Sequence, residues 1–313
     1  KVKAVEGGWI MSKSGVCFRL MATLGDKKRD KNLVEPEDVE KLSNIPYAST
    51  DKYNLLDIYY PKKAEGLLPV IVNIHGGGYV YGTKEVYLHY GMFLAQQGFV
   101  VVNFNYHLAP KYKFPVQLDE INQVLNWVEK REGKFHMDIK NVFLVGDSAG
   151  AQLTSHYSTI YSNPEFAKMY DFTLPEKLCI RGIALNCGMY DITEQALSRN
   201  DGEKQPIDMA DLLEDYLGKD RAGIQEKLKV TQYITDQFPP AFVMTSWYDF
   251  LREKAKPMYE LLKERGVQAE YKLYGEEGQK YMGHVFHCNM NLEEAKRCNL
   301  DEIEFFKTLI CEE

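Results

Sequence analysis

The stretch Asn141-Val-Phe-Leu-Val-Gly-Asp-Ser-Ala-Gly150 decides how the chain folds. Val142 to Val145 form a short unbroken apolar run, the pattern of a strand buried on both faces. The run breaks into Gly146-Asp147-Ser148-Ala149-Gly150, a G-x-S-x-G pattern, and residues 151–160 carry neither Gly nor Pro and continue as a helix. Strand, tight turn and helix are what a nucleophile elbow needs. The serine sits at the tip of a strained turn, and the flanking glycines let neighbouring backbone approach where a Cβ would block it. The five-residue pattern alone is weak, because on the order of one chain in ten of this length carries it by chance. Its weight comes from the flanking elements and from the rest of the chain.

Outward from this stretch, strands and helices alternate. Residues 69–74 are an apolar run ending in His75-Gly76-Gly77-Gly78. Residues 86–97 read as a helix closed by Gly98, and 99–104 as a buried strand. Residues 116–131 place Leu118, Ile121, Val124, Leu125 and Val128 on one helical face. Downstream, 179–185, 241–246 and 269–274 read as strands, and 252–265 and 292–309 as helices. Near the start, 53–60 alternates loosely as a strand, while Pro36-Glu37-Asp38-Val39-Glu40 has the Pro and acids of a first helical turn. Strands alternating with helices of this length predict an α/β fold: a mostly parallel central sheet with helices on both faces.

Two segments break the alternation. Within the first 45 residues, Trp9, Ile10, Met11, Phe18, Leu20, Met21 and Leu24 have helical spacing over 9–24, followed by a polar stretch at 25–32. The other is 189–235, long and polar. Connections of that length are uncommon unless they form a lid or a binding element. The expected division is an N-terminal cap segment at 1–45, a catalytic core at 46–188 and 236–313, and a cap insertion at 189–235.

Composition narrows the class. With 313 residues, 45% of them hydrophobic and 27% charged, the chain resembles an ordinary soluble globular protein and needs no disulfide or metal staple. A net charge of −7, with Lys27-Lys28-Arg29 as its one basic cluster, argues against nucleic acid; that cluster reads as a solvated loop. The six cysteines form no C-x-x-C pair; most read as buried thiols in a reducing compartment, with a Cys288–Cys298 bridge as the lesser alternative. No metal is expected, since no grouping has zinc spacing. No run approaches the roughly 18 apolar residues of a membrane-spanning helix. No signal-peptide pattern opens the chain, although its start at Lys1 leaves a trimmed leader open. The expected location is cytoplasmic.

In an open α/β sheet, sites gather at the C-terminal ends of the strands. Those ends carry His75 with three glycines, then Ser148, then Trp247-Tyr248-Asp249, then Gly283-His284. Ser, acid and His in this order match a nucleophile elbow with its partners. Ser148 needs a base, because a neutral hydroxyl is a poor nucleophile. His284 can take its proton and return it to the leaving group. Asp249 would hold the imidazole tautomer and stabilise the imidazolium. Backbone N–H groups of Gly77, Gly78 and Ala149 would form the oxyanion hole. Asp191 and Glu253 are the reserve acids, and His287 competes with His284. Asp147 points away from the reaction in such a turn and orients it. His75 supports the glycine loop, while His89, His136 and His156 read as surface or packing residues.

At these residues the chain resembles the hormone-sensitive-lipase-like branch of the α/β-hydrolase esterases. The matches are His75-Gly-Gly-Gly-Tyr79, Tyr106-His-Leu-Ala-Pro110, Phe114-Pro115, Gly146-Asp-Ser-Ala-Gly150, Tyr248-Asp-Phe-Leu-Arg252 and Gly283-His-Val-Phe286, spanning about two-thirds of the chain in the family's order. The resemblance implies an α/β-hydrolase fold with a helical cap, the triad Ser148, Asp249 and His284, and a hole from Gly77, Gly78 and Ala149. The implied function is a serine carboxylesterase acting on short-chain acyl esters, acetyl included, without a cofactor. Carbohydrate acetyl esterase, amidase or peptidase, and non-catalytic ligand-binding homologue are the alternatives. Its partner would be a small-molecule ester, with homodimerisation left open. His107 and Lys111 replace the family's usual Arg and Glu, Ala151 replaces a glycine, and the loop at 275–282 is long and charged.

Overall fold

The computed structural model describes residues 10–48, 51–193 and 207–311. Eight strands form one sheet: β1 Val39–Pro46, β2 Leu55–Pro61, β3 Leu68–Ile74, β4 Val100–Phe104, β5 Met137–Asp147, β6 Ile180–Asn186, β7 Ala241–Ser246 and β8 Ala269–Tyr274. Their spatial order is β1-β2-β4-β3-β5-β6-β7-β8. The β1–β2 and β2–β4 pairs are antiparallel, and every pair from β4 onward is parallel. Among the described residues the α-helices are α1 Lys13–Asp30, α2 Leu88–Gln96, α3 Val116–Glu129, α4 Ala149–Ser162, α5 Pro164–Ala167, α6 Met209–Leu217, α7 Arg252–Glu264 and α8 Glu293–Lys307.

The period of two along each strand sorts side chains to opposite faces, so apolar runs supply two cores at once. Val70, Val72, Val142, Leu144, Ile183 and Val243 pack with Leu118 and Val124 of α3, Leu153 of α4 and Met258 of α7. Their immediate neighbours Ile71, Phe143, Val145, Phe242 and Met244 pack with Leu94 of α2 and Ile303 and Phe306 of α8. The sheet is therefore covered on both sides, which leaves the C-terminal strand ends as its reactive edge.

Three sequence expectations are corrected. Residues 36–40 do not start a helix; Val39 opens β1, paired with Pro61 of β2. Burial of Val39 and ladder pairing to β2 outweigh the helix-like Pro and acids. The N-terminal helix does not stop near Leu24 but runs to Asp30, through Gly25 and the polar stretch. Ser12 caps it, accepting from the Gly15 N–H at 2.9 Å. At the far end Arg29 pairs with Asp26 at 3.0 Å and donates to the Val86 carbonyl at 2.6 Å. Lys27-Lys28-Arg29 is thus the last helical turn rather than a loop, with cations at the end where the helix dipole favours them. Trp9, and residues 194–206 of the long insertion, lie outside the described residues.

The described parts of the two irregular segments meet. The Ser12 hydroxyl donates to Asp215 of α6 at 2.7 Å and the Ser14 hydroxyl to Asp211 at 2.7 Å. Arg19, in the middle of α1, reaches the carbonyls of Val80 and Ala109 behind the glycine loop. α1 is in this way tied to α6 and to the sheet edge that carries the glycines.

Candidate active site

The elbow is built by two refusals of side-chain volume. A Cβ on Gly150 would run into the Ile74 and His75 carbonyls, and one on Gly146 into the Gly150 carbonyl and Thr154. With glycine at both places, α4 closes against β3 and β5. Ser148 is left at φ 54°, ψ −117°, a region that L-residues rarely occupy. Its N–H donates to the Asn186 carbonyl at 2.9 Å, which pins the turn to β6.

His284 arrives from the loop after β8. That loop is held to the end of β7: the Ser246 hydroxyl donates to the Gly283 carbonyl at 3.0 Å, and Tyr248 and Gly283 form a parallel bridge. The imidazole Nε2 lies 2.9 Å from Ser148 Oγ, and Nδ1 lies 2.7 Å from Asp249 Oδ1. Asp249 also accepts from the Thr245 hydroxyl at 2.8 Å and from the Leu251 N–H at 2.9 Å. Burial pushes the Asp249 carboxyl up, but the His284, Leu251 and Thr245 contacts outweigh it and hold the group below its ordinary range. The side chain of Asp249 is fully buried, whereas that of His284 is 21% exposed. A buried orienting anion and an accessible base are the arrangement proton transfer requires.

The glycine loop folds back on itself. Gly77 has φ 108° and Gly78 φ 57°. A Cβ on Gly77 would collide with the Tyr81 carbonyl, so only glycine fits there. The Gly76 N–H is engaged by Tyr87 and Asp147. Those of Gly77, Gly78 and Ala149 make no hydrogen bond among the described residues. His75 stacks on Tyr106 with ring centroids 3.9 Å apart, and burial lowers its pKa to about 4. It is therefore a neutral support for the loop.

The other sequence candidates are engaged elsewhere than with Ser148 Oγ. His287 is fully buried, and burial, then the neighbouring His284, lowers it to about 3. Asp191 is exposed and bonds Thr193, and Glu253 is exposed and pairs with Arg252. Asp147 faces Tyr87 and Gly76, with burial lifting its carboxyl to about 6. His107 Nδ1 lies 2.5 Å from Glu120 Oε1, with both side chains buried. All six cysteines are free. Spacing in the chain did not reveal that Asp147, His287 and Cys288 converge, with one ligating atom each within 4.8 Å. Nor did it reveal Thr245 and the Leu251 N–H behind Asp249, or the exposed Phe250, whose ring centroid lies 4.3 Å from that of His284.

A cavity of about 210 Å³ opens beside Ser148 and His284. It is lined on the sheet side by Gly76, Gly77, Tyr81, Tyr87 and Cys288, and on the α1 side by Phe18, Ala22, Gly25, Asp26 and Arg29.

A family profile described as alpha/beta hydrolase fold matches residues 71–287, more than half of the chain. The chain belongs to the α/β-hydrolase family. Its branch is the hormone-sensitive-lipase-like one. Among curated relatives, it is 27% identical over 239 residues to tuliposide A-converting enzyme 1 of Tulipa gesneriana, covering 70% of this chain and 57% of that protein. The match thus spans little more than half the length of that relative. It is 26% identical over 231 residues to versiconal hemiacetal acetate esterase of Dothistroma septosporum, covering 69% and 67% of the two chains. Among solved structures, esterase B of Lactobacillus rhamnosis superposes with a TM-score of 0.84 at 25% identity, covering 93% of this α/β-hydrolase and 92% of that chain. No helix among the described residues is long and apolar enough to cross a membrane.

Proposed function

We propose that the protein is a serine carboxylesterase that hydrolyses short-chain acyl esters through an acyl-enzyme. The observation that carries this reading is the unbroken chain from Ser148 Oγ to His284 Nε2 at 2.9 Å and from His284 Nδ1 to Asp249 at 2.7 Å. Ser148 Oγ attacks the ester carbonyl carbon as its proton passes to His284 Nε2. The oxyanion accepts hydrogen bonds from the Gly77, Gly78 and Ala149 N–H groups. Collapse returns the proton to the departing alcohol and leaves an acyl-serine. Water, deprotonated by His284, then attacks the acyl carbon, and the acid leaves as Ser148 regains its proton.

The acyl preference follows from size. An apolar cavity of roughly 150 Å³ holds a benzene-sized guest. The 210 Å³ beside Ser148 on that scale accepts about eight non-hydrogen atoms, which favours short groups. α1 and α6 act as a cap, since α1 forms one wall of this space and is bonded to α6. Relatives named as esterases, acetate esterase included, support the reaction class.

The test is hydrolysis of p-nitrophenyl esters from acetate to longer acyl chains by the wild type and Ser148→Ala. Turnover that falls with chain length and is lost in the variant is the expected result. Equal turnover by both proteins would remove Ser148 from the nucleophile's role.

A further inference from the structure

The wall of the cavity opposite Ser148 has its own chemistry. Ala22, Gly25, Asp26 and Arg29 lie four, seven, eight and eleven residues after Phe18 along α1 and share one helical face with it. Ala22 and Gly25 leave the middle of that face without bulk. A Cβ added at Gly25 would meet nothing within 4 Å, so side-chain volume there is missing rather than displaced. Beyond the gap the wall turns polar. The Tyr81 hydroxyl donates to Asp26 Oδ2 at 2.7 Å, and Arg29 Nη1 lies 3.0 Å from Asp26 Oδ1. Arg29 is further committed to Asp30 and to the Val86 carbonyl.

The spare capacity lies on the acid and the phenol. An ionised carboxylate offers about four lone-pair sites, of which two are used here, and the phenol oxygen can accept as well as donate. An alkyl group pressed against these atoms would strip their water and return nothing, whereas a hydroxyl group restores a hydrogen bond. We propose that this cavity is a subsite for a short hydroxylated group of the ester, held by Asp26 and Tyr81 and sized by Ala22 and Gly25. The assignment rests on Ser148 as the nucleophile, which shares the cavity. It narrows the substrate class from short esters to short esters bearing a hydroxyl group.

Either half of the ester can carry the hydroxyl, and paired substrates separate the two. p-Nitrophenyl butyrate is compared with p-nitrophenyl 3-hydroxybutyrate for the acyl half, and propyl acetate with 3-hydroxypropyl acetate for the alcohol half. In one pair the hydroxylated member is expected to have a kcat/KM roughly tenfold higher, the scale of one hydrogen bond to a charged group. Tyr81→Phe and Asp26→Asn should each bring that ratio towards one. Because the ratio is taken within each protein, a general loss of activity cancels, and Tyr81→Phe removes only a hydroxyl if Asp26→Asn folds poorly. Gly25→Leu should lower the butyrate-to-acetate ratio by filling the gap. Wild-type activity with equal rates in both pairs, or a preference that survives both polar variants, overturns the subsite alone. A wild type inert towards all these esters overturns the nucleophile assignment together with it.

Discussion

Replacing Asp249 by Asn separates charge from geometry at the proposed triad. In the native site Oδ1 accepts from the Leu251 N–H at 2.9 Å and faces His284 Nδ1 at 2.7 Å, while Oδ2 accepts from Thr245 at 2.8 Å. An asparagine settles with its amide oxygen in the Oδ1 place, because the Leu251 N–H needs an acceptor. Its NH₂ then points to Thr245, whose hydroxyl rotates from donor to acceptor. His284 keeps its tautomer and ring orientation. What disappears is the negative charge facing the imidazolium formed during turnover. Two unit charges about 4 Å apart, at an effective dielectric constant of about 20, interact by about 4 kcal/mol. That corresponds to roughly a thousandfold in rate. A flipped tautomer would cost more, roughly 10⁴-fold.

The assay is kcat/KM for p-nitrophenyl acetate with wild type, Asp249→Asn and Asp249→Ala. The expected order is wild type, then Asn about a thousandfold lower, then Ala lower still. A loss of less than tenfold in the asparagine variant, or an alanine variant milder than it, would refute the role of Asp249 as the charged orienter of His284. Stability supplies an independent reading. Burial raises the Asp249 carboxyl, but its hydrogen bonds leave it below its ordinary range. A depressed folded-state value contributes stability above the unfolded pKa, and that stability is lost as pH falls through the folded value. The asparagine variant should therefore melt below wild type at neutral pH, with the gap closing below about pH 4.

Glu302 gives the opposite sign. It is buried between Tyr90 and Asn186, and burial lifts its carboxyl to about 7 against the hydrogen bonds from those two residues. The folded protein then holds a proton that the unfolded chain releases, so stability declines as pH rises from about 4.5 to about 7 and levels off above. Glu302→Gln should flatten that part of the melting-temperature profile and melt above wild type at pH 8; identical slopes would refute the assignment. Gly150→Ala tests the elbow, since the new Cβ meets backbone carbonyls of β3 and the following loop, which cannot swing aside as a side chain would. It should cost about 3 kcal/mol in denaturant unfolding, and a loss under roughly 1 kcal/mol would mean that the turn yields.

The chain by itself determined the features that rest on local pattern. Apolar runs of strand length and helices closed by glycine are written in consecutive residues, so β3 to β8 and helices α2 to α4, α7 and α8 could be read directly. Ser148, Asp249 and His284 were legible for the same reason, as each follows a readable strand. Tertiary structure alone decided what depends on distant partners. β1 is a strand because β2 is beside it, against a helix-like local signal. α1 continues through a polar stretch because Arg29 finds Val86, 57 residues away, and Asn291 Nδ2 reaches the Arg29 carbonyl across 262 residues. The choice of His284 over His287 is a matter of burial: three residues apart, one reaches the cavity and the other is sealed in the core. The polar wall made by Asp26 and Tyr81 joins groups 55 residues apart. Local propensity is set by the backbone within a few residues, whereas desolvation and charge pairing are set by whatever the finished fold brings alongside.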